Sequence, residues 1–506
     1  MKKRAEFLVG LGIALYVTTL IWIGHLKYAR FVFNDFDLAV HTQSLWALTH
    51  GSMESSILGI PFLGNHLALI LSLLAPIYRL SPSPEILLIA QTLTLGSGAW
   101  ALFFFFLLDI SPRWVALISL LYLVYPPLIQ MNLFEFHPVA LATGFLLWMI
   151  EAYHRRAFRA FAAFLALSLL CQENIALIIV FFSLIPLIEH RKAAWILTPL
   201  IAGILYAILA FGFLMPALNP DIIQFGKLYA HLGNSPADIL RNITTHPLQT
   251  ARVVFSPAKM HFFNQQLAPL GYLSLISPTH LIPAAPALLQ RLLSARTTET
   301  MLRYHYQAEF IPFFFTAAVF GIKRLLTLKS SVVKPAIVFV LIAFSAMSIA
   351  LSGFIPTIRQ KHIDPVISNR DYAELSQTLL DRIPAGASVI STFEFLPKLS
   401  GRTNLYSLHH VYIGHYTLSD RPYPAPANID WLLINTLDRN TFGGAFYRVN
   451  AYTNLQQLFL SASWTNELHS GNLLVFRRIS NVPPQAVDLC QPMDRKDIPA
   501  LLTNVT

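Results

Sequence analysis

Charge is what this sequence has least of. Lys, Arg, Asp and Glu together make up 12% of its 506 residues, about half the roughly 25% that soluble domains carry. That deficit excludes a soluble globular chain of this length. Cysteine is scarcer still. Cys171 and Cys490 stand alone and give neither a disulfide framework nor a zinc site. No Gly-rich phosphate loop and no internal repeat is present, which removes the common nucleotide-cradling motifs and the solenoids. The net charge of +10 does not point to nucleic acid, because Lys and Arg fall in short clusters between apolar runs, as cytoplasmic loops of membrane proteins do.

What takes the place of charge is apolar length. Hydrophobic residues make up 55% of the chain, and long apolar runs recur through Met1–Gly353, the pattern of a polytopic membrane protein. The N-terminus lacks a small-residue cleavage site after its apolar stretch. Phe7–Gly24 therefore reads as an uncleaved first span with Lys2, Lys3 and Arg4 in the cytoplasm. Further spans are expected at Ile86–Leu108, Trp114–Ile129, Val139–Ile150, Phe161–Leu170, Ile175–Leu187, Ala194–Leu214, Phe310–Phe320 and Val333–Leu351. Basic clusters at Arg155–Arg159 and Arg191–Lys192 fall on the same side as Lys2–Arg4. Leu67–Leu80 is too short to cross and reads as a surface helix ended by Ser81-Pro82-Ser83-Pro84. Residues 215–265 read as a polar, Pro-rich outer loop. Leu267–Leu293 is broken by Pro269, Pro278, Pro283 and Pro286, and forms either two short crossings or one re-entrant hairpin. The fold expectation is an all-α polytopic membrane protein of about eleven transmembrane helices, or about nine with the hairpin. Residues 1–353 form the membrane domain, with a long first outer loop over 25–66.

After Gly353 the composition changes. Ser388–Thr392, Trp431–Ile434 and Leu473–Phe476 read as short buried strands, and Tyr372–Leu380 as an amphipathic segment between them. Residues 354–506 are therefore expected to hold a small extracytoplasmic α/β domain and a tail.

Against so little charge, the stretch Phe31–His66 stands out: it holds Asp35, Asp37, His41, Gln43, His50, Glu54 and His66. Ionisable residues lodged between membrane spans are costly and mark function by default. Asp37 precedes a run with helical spacing, so its structural role would be a helix cap. Its chemical role would be a general base, with Asp35 two residues back open to either role. Glu135 and His137, in Phe134-Glu135-Phe136-His137-Pro138, fit a cap with Pro138 starting the next helix. They equally fit a substrate contact facing the first loop, and Asp37 is expected to share a cavity with one of them. Glu173 lies between two short apolar runs and needs a partner or a cavity. Arg291, Arg303 and His305 lie on the expected outer side and suit a phosphate, or else simple solvated surface. Asp, Glu and His side chains could ligate a divalent cation, but no spacing approaches a ligand motif, and no cofactor is otherwise implied.

At these residues the chain resembles an uncharacterised family of bacterial and archaeal polytopic membrane proteins. That family is similar to the GT-C glycosyltransferases, which include protein O-mannosyltransferases and the aminoarabinose transferase of lipid A. The pattern stands here as Asp37-Leu38-Ala39, Gln43, Trp46, His66, Phe134–Pro138, Gln172-Glu173-Asn174 and Tyr304-His305-Tyr306, and the resemblance covers about Phe31 to Arg478. It implies a GT-C-like helical fold, an essential acid on the first outer loop, a polyprenyl-phosphate sugar donor and inversion at the anomeric carbon. Asp37 matches the loop acid, with Asp35 as second candidate. His41, Gln43, His66, Glu135, His137, Glu173, Arg291, Arg303, Tyr304 and His305 become candidate substrate contacts. The chain departs from the pattern in Ala39 for Gly, and in Gln172 and Asn174 for a charged pair. The implied partners are the lipid-linked sugar, the bilayer and an unidentified acceptor, with no nucleic acid. Two rival classes stand beside this one. Pro-broken spans also fit a transporter, although the acids gather in loops and no repeat is seen. A non-catalytic scaffold presenting the C-terminal domain would leave Asp37 dispensable.

Overall fold

A computed structural model describes residues 1–480, apart from 108–109, 220–221, 329, 352, 417–420, 424–425, 427 and 444–449. Cys490 and the tail of the expected C-terminal domain lie outside the described residues. The chain divides into two compact units. The first comprises Met1–Leu26, His66–Leu71 and Leu87–Pro365; the second comprises Lys27–Asn65, Ser72–Ile86 and Val366–Thr506. The first outer loop thus clusters with the C-terminal residues, a grouping that sequence distance alone would not suggest.

The first unit is helical. Among the described residues, five helices are long and apolar enough to cross a membrane: Lys2–Ala29, Glu85–Phe106, Pro112–Leu133, Ala193–Leu218 and Val333–Leu351. Pro138–His154 and Ile311–Leu326 have 17 and 16 residues, short of the ~20 that a perpendicular crossing needs. Phe158–Leu169 and Ile175–Ile188 are shorter apolar helices. Length and composition therefore give five candidate crossings, and these four shorter helices would bring the number to nine, the lower of the two expected counts. Inside the unit, helices approach closely where side chains are small. A Cβ at Gly144 would lie 2.3 Å from the carbonyl oxygen of Thr94, and one at Gly98 would lie 2.6 Å from the Tyr122 hydroxyl. Lipid offers no hydrophobic gain for helix association, so such close backbone packing supplies the attraction.

Two stretches differ from their sequence reading. Leu267–Leu293, expected as two short crossings or one re-entrant hairpin, holds irregular backbone followed by a single α-helix. It is a run of 3-10 turns at Ala268–Leu270, Leu273–Ile276 and Pro278–Ala284, followed by the helix Ala285–Leu293. Each proline removes an amide donor and clashes with the preceding turn, so the α-helical ladder does not propagate. The irregular backbone is covered within the unit. Ser274 donates to the Phe314 carbonyl at 2.8 Å and Ser345 to that of Pro269 at 2.6 Å. Residues 215–265, expected as a polar, Pro-rich outer loop, are largely helical among the described residues: after Met215–Leu218 and the 3-10 segment Ile222–Tyr229 come Pro236–Thr245, Pro247–Val254 and Pro257–Leu267, each of these three opened by its proline. Proline at the first helical position loses no bond and has φ preset. Ser235 caps the first of them, accepting from the Asp238 amide at 3.1 Å.

The second unit is built on a sheet. A two-stranded ribbon pairs β1 (Glu54–Ser55) with β2 (Ile60–Pro61). The main sheet holds β3 (Val389–Ser391), β4 (Leu405–Ser407), β5 (Trp431–Asn435), β6 (Ser463–Ser470) and β7 (Leu473–Ser480) in the order β4-β3-β5-β7-β6. β3 runs parallel to β4 and β5, whereas β7 runs antiparallel to β5 and β6. One face carries Ile390, Leu432, Ile434, Leu474 and Phe476 against Leu408, Tyr412, Leu455 and Phe459. Each fully buried large apolar side chain of this layer contributes about 1.5–3 kcal/mol.

Candidate functional site

In the first unit, segments distant in sequence meet. His66 places Nδ1 2.9 Å from Oε1 of Glu173, and the Leu67 amide donates to Oε2 at 2.9 Å. The Glu173 side chain is 7% exposed and that of His66 31%, so the carboxylate is the buried anchor and the imidazole reaches outward. Burial alone would push the Glu173 carboxyl up, but the charge and hydrogen bond of His66 and the backbone amides hold it below its ordinary value. The apolar setting around Glu173 thus contains the partner that the sequence argument required.

The Phe134–Pro138 loop is fixed by Gln91, which is fully buried. Gln91 donates to the Glu135 carbonyl at 3.2 Å and accepts from the His137 amide at 3.0 Å. His137 takes an extended backbone, and Pro138 opens the following helix, as its sequence predicts. The His137 ring stacks on His305 with centroids 3.5 Å apart, and Phe134 stacks on its own side at 5.5 Å. Phe134 also meets Tyr304 edge-on at 4.9 Å. Burial, then His137 and Arg291, push the His305 imidazole well below its usual value, so it stays neutral at physiological pH.

Arg291 is committed to carboxylates. It donates to Glu309 at 3.0 Å, lies 3.5 Å from Glu299, and faces the Tyr306 ring at 4.9 Å. Asn174 donates to the same Glu309 oxygen. A carboxylate at position 174 could not donate, so the departure to Asn suits this neighbour. Burial raises the Glu309 carboxyl despite Arg291 and Asn174. Arg303 is different: it is exposed, with its guanidinium 4.4 Å over the Tyr304 ring and in contact with the Tyr304 hydroxyl. Of the two arginines offered for a phosphate, Arg303 presents its charge outward, while Arg291 neutralises two buried acids.

The other four candidates lie in the second unit. Asp37 is the first residue of the helix Asp37–Thr49, and Phe36, not Asp37, is its cap. An acid in a first turn is favoured by the helix dipole. Asp35 accepts from the Phe36 amide at 2.9 Å. His41 is buried. Gln43 is occupied by the protein: its amide donates to Ser56 at 2.8 Å and the Arg402 carbonyl at 3.2 Å, and its carbonyl accepts from Ser55 and Ile57. Gln43 therefore pins the first loop to the segment before β4.

The same unit gathers ionisable residues at the C-terminal ends of its parallel strands, none of which the sequence reading singled out. Glu394 follows β3, His409 and His410 follow β4, and Asp438 follows β5. The Tyr372 hydroxyl donates to Glu394 at 3.0 Å. Burial, with Asp438 beside it, pushes the Glu394 carboxyl up to about 7. His410 is pushed down to about 3 by burial and by His409. Phe36 packs edge-on against His410 at 4.9 Å and Phe393 at 5.9 Å, so the segment leading to Asp37 rests on this end of the sheet.

Among the described residues, no group of three or more His, Cys, Asp or Glu has metal-binding geometry. Nothing in the sequence could have paired Arg291 with Glu299 and Glu309, because side-chain direction decides such contacts. Gln91, mid-helix in an apolar run, is a legible signal, since a lone amide there needs partners.

The sequence matches a family described as "Predicted membrane protein (DUF2079)" over residues 27–465. No curated protein matches it. Among solved structures, the chain is similar to ArnT from Cupriavidus metallidurans bound to undecaprenyl phosphate, with 11% identity and a TM-score of 0.49 over 94% of this chain and 99% of that one. It is likewise similar to the same protein in the apo state, with 10% identity and a TM-score of 0.45 over 93% and 99%.

Proposed function

The chain belongs to the DUF2079 family of predicted membrane proteins, and from that premise we propose that it is a membrane glycosyltransferase. It would move a sugar from a polyprenyl-phosphate donor to an acceptor on the extracytoplasmic side, inverting the anomeric carbon. The observation that carries this reading is the cluster in the first unit. A buried carboxylate steadies His66, a stacked His137–His305 pair sits on the Phe134–Pro138 loop, and exposed Arg303 lies over Tyr304. Loop-borne groups of this kind meet the needs of a donor whose phosphate stays at the membrane surface while its chain stays in lipid.

In the proposed reaction the acceptor hydroxyl gives up its proton to a base as its oxygen bonds to the anomeric carbon. The bond from that carbon to the phosphate oxygen breaks, and the lipid phosphate leaves with the electron pair. Arg303 is the cation assigned to that phosphate. Asp37 is the proposed base, with Asp35 second, and the loops are assigned to the extracytoplasmic side. His66, Glu135, His137, Glu173, Tyr304 and His305 are the substrate-contact candidates.

The test is transfer from a polyprenyl-phosphate sugar pool in membranes with equal protein levels. Asp37→Asn keeps size and loses basicity, and should lower the rate by roughly 10²–10⁴-fold, the usual share of a positioned base. Asp35→Asn should be milder. Wild-type transfer by the Asp37→Asn protein would remove Asp37 from the mechanism, and no transfer by the unaltered protein from any such donor would sink the reading itself.

A further inference from the structure

The three proline-opened helices of residues 236–267 carry an unusual surface. Leu240 on the first, Leu248 on the second and Phe255 just beyond its end are exposed at 65%, 78% and 66%. Large apolar side chains this open on neighbouring short helices outside the long spans mark a candidate interaction surface. Their neighbours are cationic. Between Ile222 and Leu267 the sequence holds Lys227, Arg241, Arg252 and Lys259 against the single acid Asp238. Arg241 directly follows Leu240, and Arg252 stands four residues after Leu248, one turn along the same face; both arginines are exposed. Exposed apolar residues flanked by outward arginines on an amphipathic helix are the signature of an element lying in a membrane–water interface, with rings and aliphatic groups below the headgroups and guanidinium groups among the phosphates.

We propose that the hairpin Pro236–Val254, with Phe255, docks on a bilayer surface that carries anionic headgroups. Charge complementarity selects this occupant: a second copy of the chain would bring like charge against like charge. Continuity with the membrane part supports it as well. The preceding long helix Ala193–Leu218 ends in open apolar side chains, Phe211 and Phe213 among them, so the chain leaves the bilayer only a short way before the hairpin. The hairpin is also tied to the rest of its unit. Pro247–Val254 packs against Ala285–Leu293, and the segment before the helix pair meets the same helix, Tyr229 donating to the Gln290 carbonyl at 3.3 Å. The docked surface thus adjoins the helix that bears Arg291. The inference does not depend on which reaction the protein performs.

The experiment places a nitroxide label at Leu248→Cys in the full-length protein, in a Cys490→Ser background, Cys171 being buried. The protein is reconstituted in vesicles of phosphatidylcholine alone or with phosphatidylglycerol. The expected result is a label several-fold more accessible to oxygen than to a water-soluble nickel chelate, and deeper when phosphatidylglycerol is present. Arg241→Gln with Arg252→Gln should abolish the difference between the two vesicles. A Phe255→Cys label is the second reporter and should behave alike. A label as open to the nickel chelate as one in water, in both vesicles, overturns the proposal. Spin–spin broadening that reveals a second copy over the hairpin also overturns it.

Discussion

The imidazole of His66 and the carboxylate of Glu173 are joined at 2.9 Å, and the amide of the next residue, Leu67, closes on the other carboxylate oxygen at the same distance. One buried acid therefore fixes both the ring and the backbone at the end of the first loop. Removing it would release both.

That geometry gives Glu173 a pH signature. Its carboxyl titrates below the ordinary carboxylate value of about 4.3. The group thus adds stability that is present above that value and is lost as pH falls through the depressed one. Glu173→Gln, which retains an acceptor for the Leu67 amide, should be less stable at neutral pH and show a flatter acid limb in a plot of melting temperature against pH. An unchanged acid limb would show that Glu173 does not carry the linkage.

Arg291 and Arg303 should separate stability from binding. Arg291→Gln strands Glu299 and Glu309, both nearly inaccessible, and breaking a buried pair from one side costs about 3–5 kcal/mol. Arg303→Gln removes an exposed cation and should change the folding free energy by no more than about 1 kcal/mol, leaving the melting temperature nearly unmoved, while weakening binding of a polyprenyl phosphate. Thermal unfolding in detergent and a lipid-phosphate binding assay, run on both variants, give the comparison. Equal melting temperatures for the two would contradict the assignment of Arg291 as a structural cation.

Glu394 should respond to pH with the opposite sign. Its carboxyl is raised to about 7, first by burial and then by Asp438, and the titration belongs to the pair. The fold therefore holds a proton that the unfolded chain would release. The stability from this group is complete below the unfolded value of about 4.3 and is lost as pH rises through about 7. Glu394→Gln mimics the protonated form and should remove the fall in melting temperature between those limits. A wild-type slope in that variant would place the proton elsewhere.

Sidedness is open to labelling. Asn404 is exposed, just before β4, and the proposed topology puts it outside the cell. Asn404→Cys, in the Cys490→Ser background, should react with an impermeant maleimide in intact cells. Reaction only after permeabilisation would reverse the arrangement.

What the sequence disclosed and what it hid follow physical lines. Apolar length is local, so the long helices were legible, and so was the helix start at Pro138. The strand segments read at Ser388–Thr392, Trp431–Ile434 and Leu473–Phe476 fall on β3, β5 and β7. β4 and β6 went unread because Leu405-Tyr406-Ser407 and Ser463–Ser470 are short or polar and become strands only through their neighbours. The prolines of 236–257 looked like loop markers, but preceded by Ser235, His246 and Ser256 they open helices. The motif residues His66, His137, Glu173, Tyr304 and His305 were visible as loop-borne polar groups. Their pairing was not, and Glu299, Glu309 and Asn174 gained meaning only from Arg291. Gln43 shows the reverse case: a motif residue whose every polar atom is used to hold a loop.

The coil between Ala268 and Ala284 could not rest in lipid by itself, because its 3-10 turns leave carbonyls and amides without α-helical partners. It is accommodated by Ile311–Leu326. A Cβ at Gly321 would sit 2.3 Å from the Leu273 carbonyl oxygen, so the coil seats on a surface that exists only once that later helix has been made. During synthesis the ribosome completes the coil some forty residues before the helix, about the difference between Ala284 and Leu326. In that interval the insertion machinery, or an aqueous vestibule, must shelter it. A bulky residue at position 321 would strike biogenesis first: the nascent coil would find no seat, and quality-control proteases would meet the chain.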